Sequence, residues 1–97
     1  MTGETSLALD DVLELGRQFR LQWEQAQQAY VLLYPEGMVK LSQSAGEILK
    51  RIDGKLSVAA IVRNLEDAFP NTNLHDDVMN FLEVAHERGW IHPKQAS

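Results

Sequence analysis

The chain has 97 residues, no cysteine, and 9 basic against 14 acidic side chains, a formal charge of −5. That length supports one small domain, and the missing thiols exclude disulfides, catalytic cysteine and thiolate-bound metal. No apolar run approaches the ~20 residues that span a membrane, and no base precedes the mild apolar stretch after Met1-Thr2-Gly3-Glu4, so a soluble cytoplasmic domain is expected.

Residues 1–16 carry four acids and no base, and Leu7, Leu9, Val12, Leu13 and Leu15 could make only one or two amphipathic turns before Gly16. Isolated helices this short are marginal, so the stretch reads as a flexible N-terminal arm. Phe19, Leu21 and Trp23 then alternate with Arg20, Gln22 and Glu24, the period of a half-buried strand. After a polar stretch, Tyr30-Val31-Leu32-Leu33-Tyr34 is rich in β-formers, and Pro35-Glu36-Gly37 predicts a turn, with glycine accepting a positive φ. Met38, Val39, Lys40 and Leu41 resume as a third strand, Val39 and Leu41 on one face, Met38 and Lys40 on the other.

From Ser42 the period becomes helical. Ala45, Ile48, Leu49 and Ile52 share a stripe; Ser44 and Glu47 have capping-box spacing, with Ser42 as the other candidate cap, and Asp53-Gly54-Lys55 ends the helix. Ser57 is expected to cap a second helix, on whose stripe lie Val58, Ile61, Val62, Leu65 and Phe69 and which Pro70 stops. A third helix is expected from an Asn73 cap, with Asp76 and Asp77 at the positive end of the helix dipole and Leu74, Val78, Phe81, Leu82 and Ala85 on one stripe. Gly89 stops it, and Trp90-Ile91-His92 can return as a short strand. The expectation is an α+β fold, a small winged-helix-like domain over residues 17–92 in which a three-stranded antiparallel sheet is followed by three helices, with a tail over 93–97.

Little in this pattern can do chemistry. His75 and His86 lie ~16 Å apart along one helix at ~1.5 Å per residue, too far to share an ion, so no metal or cofactor is expected. No serine sits in a nucleophile elbow, and the glycines form neither a phosphate-binding loop nor a dinucleotide fingerprint. The adjacent pairs Glu66-Asp67 and Asp76-Asp77 diverge by ~100° on a helix and cannot face each other across a cleft. An enzyme is not expected. A DNA-binding winged-helix regulator is the alternative on layout, since that fold commonly sets its last helix in the major groove. Residues 74–88, however, hold four acids against Arg88 alone, and phosphate would repel them; the basic residues lie in the middle block, residues 17–63, at net +3. The remaining class is protein or peptide binding. A sheet this small has open edges, and an edge beside an apolar helix can take an added strand.

Specific motifs sharpen that class. Arg20-Leu21-Gln22-Trp23-Glu24, Val31-Leu32-Leu33-Tyr34-Pro35-Glu36-Gly37 and Val39-Lys40-Leu41-Ser42, followed by Ser44-Ala45, Ile48-Leu49, Asp53-Gly54, Ile61-Val62, Asp77-Val78, Phe81-Leu82 and Gly89-Trp90-Ile91, resemble the PqqD family of pyrroloquinoline quinone (PQQ) biosynthesis over residues 19–91. Ser57 stands where that pattern has threonine, one capping hydroxyl for another. The resemblance implies a peptide chaperone that binds the precursor peptide PqqA and presents it to PqqE, a radical S-adenosylmethionine enzyme. It also implies that the peptide lies as an added strand between Met38, Val39, Lys40 and Leu41 on one side and Asp77, Val78, Phe81, Leu82 and Ala85 on the other. Separately, a detachable arm beside an exposed hairpin leaves a strand-swapped homodimer open.

Overall fold

A computed structural model describes residues 7–70 and 73–94. Its elements run β1 (Leu13–Leu15), β2 (Arg20–Glu24), β3 (Ala29–Tyr34), β4 (Gly37–Lys40), α1 (Gln43–Leu49), α2 (Val58–Ala68), α3 (His75–Glu87) and β5 (Ile91–Pro93). The expected α+β order of three strands and three helices is present, as the antiparallel sheet β2-β3-β4 followed by α1, α2 and α3. A second, two-stranded sheet joins β1 to β5.

That second sheet corrects the reading of residues 1–16 as an arm in its described part, residues 7–16. Leu13 pairs with Pro93, Glu14 with His92 and Leu15 with Ile91, and Leu13 is fully buried. The chain before β1 wraps the start of α2: the Val58 and Ala59 N–H groups donate to the carbonyls of Asp11 and Leu9, at 2.8 and 2.9 Å. Leu7 is buried, and its N–H donates to Glu83 Oε2 at 3.0 Å. These leucines find their apolar partners at the far end of the chain, so local helix propensity says nothing about their order. Residues 1–6 of the expected arm and 95–97 of the expected tail lie outside the described residues, while Pro93 and Lys94 belong to the fold: the Lys94 N–H donates to the Val12 carbonyl.

In the larger sheet, Tyr30 lies opposite Trp23, Leu32 lies opposite Leu21 and Val39, and Leu41 donates its N–H to the Tyr30 carbonyl. Alternation therefore puts Leu21, Tyr30, Leu32, Val39 and Leu41 on the helix-covered face. Trp23 belongs to that face yet is 47% exposed, a second departure from expectation. It sits on the edge strand β2, beside β3 against which α1 packs, and its indole meets Tyr30 in a T-shaped contact (5.0 Å between centroids, 69°). The Pro35-Glu36 turn joins Tyr34 directly to its partner Gly37, which is the first residue of β4 and does not have positive φ. A left-handed residue is found in the other turn instead, at Gln28 (φ 50°).

Ser42, not Ser44, caps α1 through a 3.2 Å bond from the Ala45 N–H, and Ser57 caps α2 from Ala60 at 3.1 Å. The expected Asn73 cap is absent, since α3 begins after Leu74 with no side-chain cap. Glu66 of α2 instead accepts the Leu74 N–H at 3.3 Å. At the other end of α3, Gly89 has φ +80°, and the Gly89 and Trp90 N–H groups donate to His86 and Ala85, the paired bonds of a Schellman stop. Leu13, Leu32, Leu49, Ile61, Leu82 and Ile91 are the largest fully buried side chains, contributed by both sheets and all three helices.

Candidate functional site

The β4 strand is an edge with a defined polarity. Leu41 donates to Tyr30 across the sheet, so Val39, two residues back, also turns its peptide groups toward β3. The N–H and C=O of Met38 and Lys40 therefore point to the open side, and among the described residues no hydrogen bond within the chain takes them. Met38 is 57% exposed and Lys40 is exposed, whereas Val39 is half-buried and Leu41 belongs to the core. This edge supplies backbone pairing, and its side chains supply only rims.

On α3 the expected helix wall divides in two. Val78, Leu82 and Ala85 face the core and are buried, Leu82 and Ala85 completely. Asp77 and Phe81 lie on a second stripe continued by Val84, which is 43% exposed, and Arg88. Positions 77, 81, 84 and 88 follow helical spacing and run ~16 Å along one side at ~1.5 Å per residue. The stripe ends where the Arg88 guanidinium sits 5.6 Å over the Trp90 ring, itself 6.4 Å from Phe81.

Contacts tie the two ends of β4 to the two ends of α3. At one end Ser42, just past β4, shares a cavity with Asp77, Val78 and Phe81. At the other, the Gly16 N–H donates to the Trp90 carbonyl at 2.8 Å, Gly16 abuts Phe19, and Phe19 meets Tyr34, the partner of Gly37. Strand and helix thus run in opposite directions, with Phe81 and Val84 between two charged residues on the helix stripe and unpaired peptide groups on the strand. Such a pair of walls can hold an extended segment of chain by main-chain hydrogen bonds and apolar contact. Among the described residues no three His, Asp or Glu side chains gather as metal ligands; His75 lies beside Asp76, and His92 beside Glu14.

A family model for coenzyme PQQ synthesis protein D (PqqD) matches residues 29–91. The curated PqqA binding protein of Azotobacter vinelandii is 56% identical over 84 residues, 86% of this chain and 91% of that one. The PqqA binding protein of Acinetobacter baylyi is 48% identical over 96 residues, 94% and 97% of the two chains. The chain belongs to the PqqD family. Its fold is also that of a solved family structure, the solution NMR structure of the PqqD truncation of Methylobacterium extorquens PqqCD, described as a recognition element for ribosomally synthesised and modified peptides. That structure superposes with a TM-score of 0.74 at 24% identity, covering 94% of this chain and 99% of that one.

Within this PqqD-family fold, several residues beside the expected walls went unnoticed in the sequence. Val84 lies off the core stripe yet three positions from Phe81, and an apolar residue out of phase with the core was the available signal. The cavity next to Ser42, about 540 Å³, draws on α1 (Gln43, Ser44, Ala45, Glu47, Ile48), α2 (Leu65), Phe69, and the start of α3. No single-element period reveals that gathering. Glu47 on its rim bonds Arg51 at 2.8 Å, and that bond, with Lys50 nearby, holds its carboxyl below the usual glutamate range despite partial burial.

Proposed function

We propose that this chain is a non-catalytic, cytoplasmic peptide chaperone of PQQ biosynthesis. It binds the precursor peptide PqqA as an added strand on the β4 edge, against the outer stripe of α3, and presents it to the radical S-adenosylmethionine enzyme PqqE. The observation that carries the reading is the occurrence together of unbonded Met38 and Lys40 peptide groups on the strand and, on the outer stripe of α3, the partly buried Phe81 and the 43% exposed Val84. The curated relatives bear the name PqqA binding protein, which supports PqqA as the peptide. Main-chain bonds worth ~0.5–1.5 kcal/mol each, with a few apolar contacts and the cost of ordering the peptide, suit an affinity near micromolar.

Amide NMR shifts of the labelled chain on adding PqqA, and separately duplex DNA, test this. Shifts concentrated at residues 38–41 and 74–88 on adding peptide are expected, with Lys40 and Asp77 as the clearest side-chain probes because neither is in the core. An absent peptide response below ~100 μM (about −5.5 kcal/mol) together with a salt-sensitive DNA response would sink the reading.

A further inference from the structure

The walls of β4 and α3 do not account for the cavity at their shared end. Its floor is apolar and buried, made by Ile48, Leu65 and Val78, and Phe69, Leu74 and Phe81 stand around it. Its rim is polar: Ser42, Gln43, Ser44 and Asp77 line it and are exposed, and Glu47 lines it half-buried. A volume of about 540 Å³ lies within the ~300–1,000 Å³ of ligand-sized sites. Among the described residues no side chain closes it, although a buried apolar floor gains by being covered.

Two features say what covers it. One is continuity: Val78 and Phe81 belong both to the cavity and to α3, and Ser42 follows directly on β4, so a strand added to β4 that continues past Leu41 arrives over the mouth. The other is charge. Glu47 is paired with Arg51 and Lys50, but among the described residues no base lies within ion-pair reach of Asp77, and Asp76 stands next to it. A carboxylate arriving there would be repelled and a base attracted.

We infer that the pocket between α1, α2 and α3 is a second recognition element, which takes one large aliphatic or aromatic side chain of the peptide, flanked by a basic residue facing Asp77. This rests on the added-strand reading and deepens it: the strand edge is indifferent to sequence, and the pocket selects one side chain at a fixed distance beyond it.

Two exposed rim positions allow a test that leaves the core untouched, Ser44→Trp to plug the mouth and Asp77→Lys to reverse its charge. PqqA, and PqqA variants with each large apolar residue replaced in turn by alanine, are titrated calorimetrically into the wild-type and both altered chains, with amide spectra recorded at saturation. Ser44→Trp is expected to weaken PqqA at least tenfold while residues 38–41 still shift, and Asp77→Lys to weaken it at least threefold, less so in high salt. One alanine peptide should bind the wild-type chain as weakly as PqqA binds Ser44→Trp, with no further loss when the two changes are combined. Unchanged affinity in Ser44→Trp, or losses that add in full for every peptide, overturns the pocket alone. A wild-type chain in which residues 38–41 never shift overturns the added strand and the pocket with it.

Discussion

At position 46 two tendencies oppose each other. Alanine would favour α1 by ~1 kcal/mol over glycine on helix propensity alone. A Cβ there would sit 2.9 Å from Tyr30 Cδ2, closer than real Cβ atoms approach, and 3.2 Å from Tyr30 Cβ, tighter than nearly all real contacts. The Tyr30 Cβ is anchored to β3 and cannot swing away, so the clash exceeds the propensity gain. Gly46→Ala is expected to lower stability by about 1–2 kcal/mol in urea denaturation. A stabilised variant would mean that α1 does not depend on that close approach. Burial also separates the expected site residues: Leu41, Val78, Leu82 and Ala85 are core, so their truncation reports on folding first. Met38, Lys40, Asp77 and Phe81 reach solvent and are where binding can be probed cleanly.

Among the elements, those with their own period were legible in the sequence. The hairpin of β3 and β4 followed from alternation around Pro35, and α2 from its apolar stripe and its Ser57 cap. The strand β1 was not, because three residues are too few to carry a period and their partner, β5, lies more than seventy positions away. The start of α3 was misplaced for a similar reason: Glu66, eight residues back on another helix, accepts the N–H of Leu74. The walls of the candidate groove were legible as elements, but the division of α3 into a core face and an outer stripe needed the packed structure. A consequence is that Leu13 acts as a central core residue. Leu13→Ala is expected to cost about 2–5 kcal/mol by chemical denaturation, in the range expected for a buried core leucine. A loss under 1 kcal/mol would return residues 7–16 to the status of an arm.

Across the whole molecule, both ends of the chain close one core: Leu7 and Leu13 from the start, Ile91 from the end. Exchange of β1 between two copies would recreate the same β1–β5 pairing and gain no new contact, while association costs translational and rotational freedom. Light scattering over a micromolar concentration series is therefore expected to return the 11.0 kDa of a single chain. A mass that doubles with concentration would point to strand exchange. The small size noted at the outset fits this economy: the core holds one strand edge, one helix stripe and one pocket in fixed relation. The acidic α3 that borders them is suited to peptide and not to nucleic acid.

Lys40 isolates the proposed binding of peptide through the backbone of the β4 edge. Its N–H points away from β3, so proline at position 40 removes a donor from the open edge without breaking the existing ladder. Glutamine there removes the charge and keeps the donor. In calorimetric titrations with PqqA, Lys40→Pro is expected to weaken binding at least tenfold with an otherwise native amide spectrum, and Lys40→Gln to stay within threefold of wild type. A Lys40→Pro chain that binds as tightly as wild type, or a Lys40→Gln chain that loses as much, would contradict the added strand.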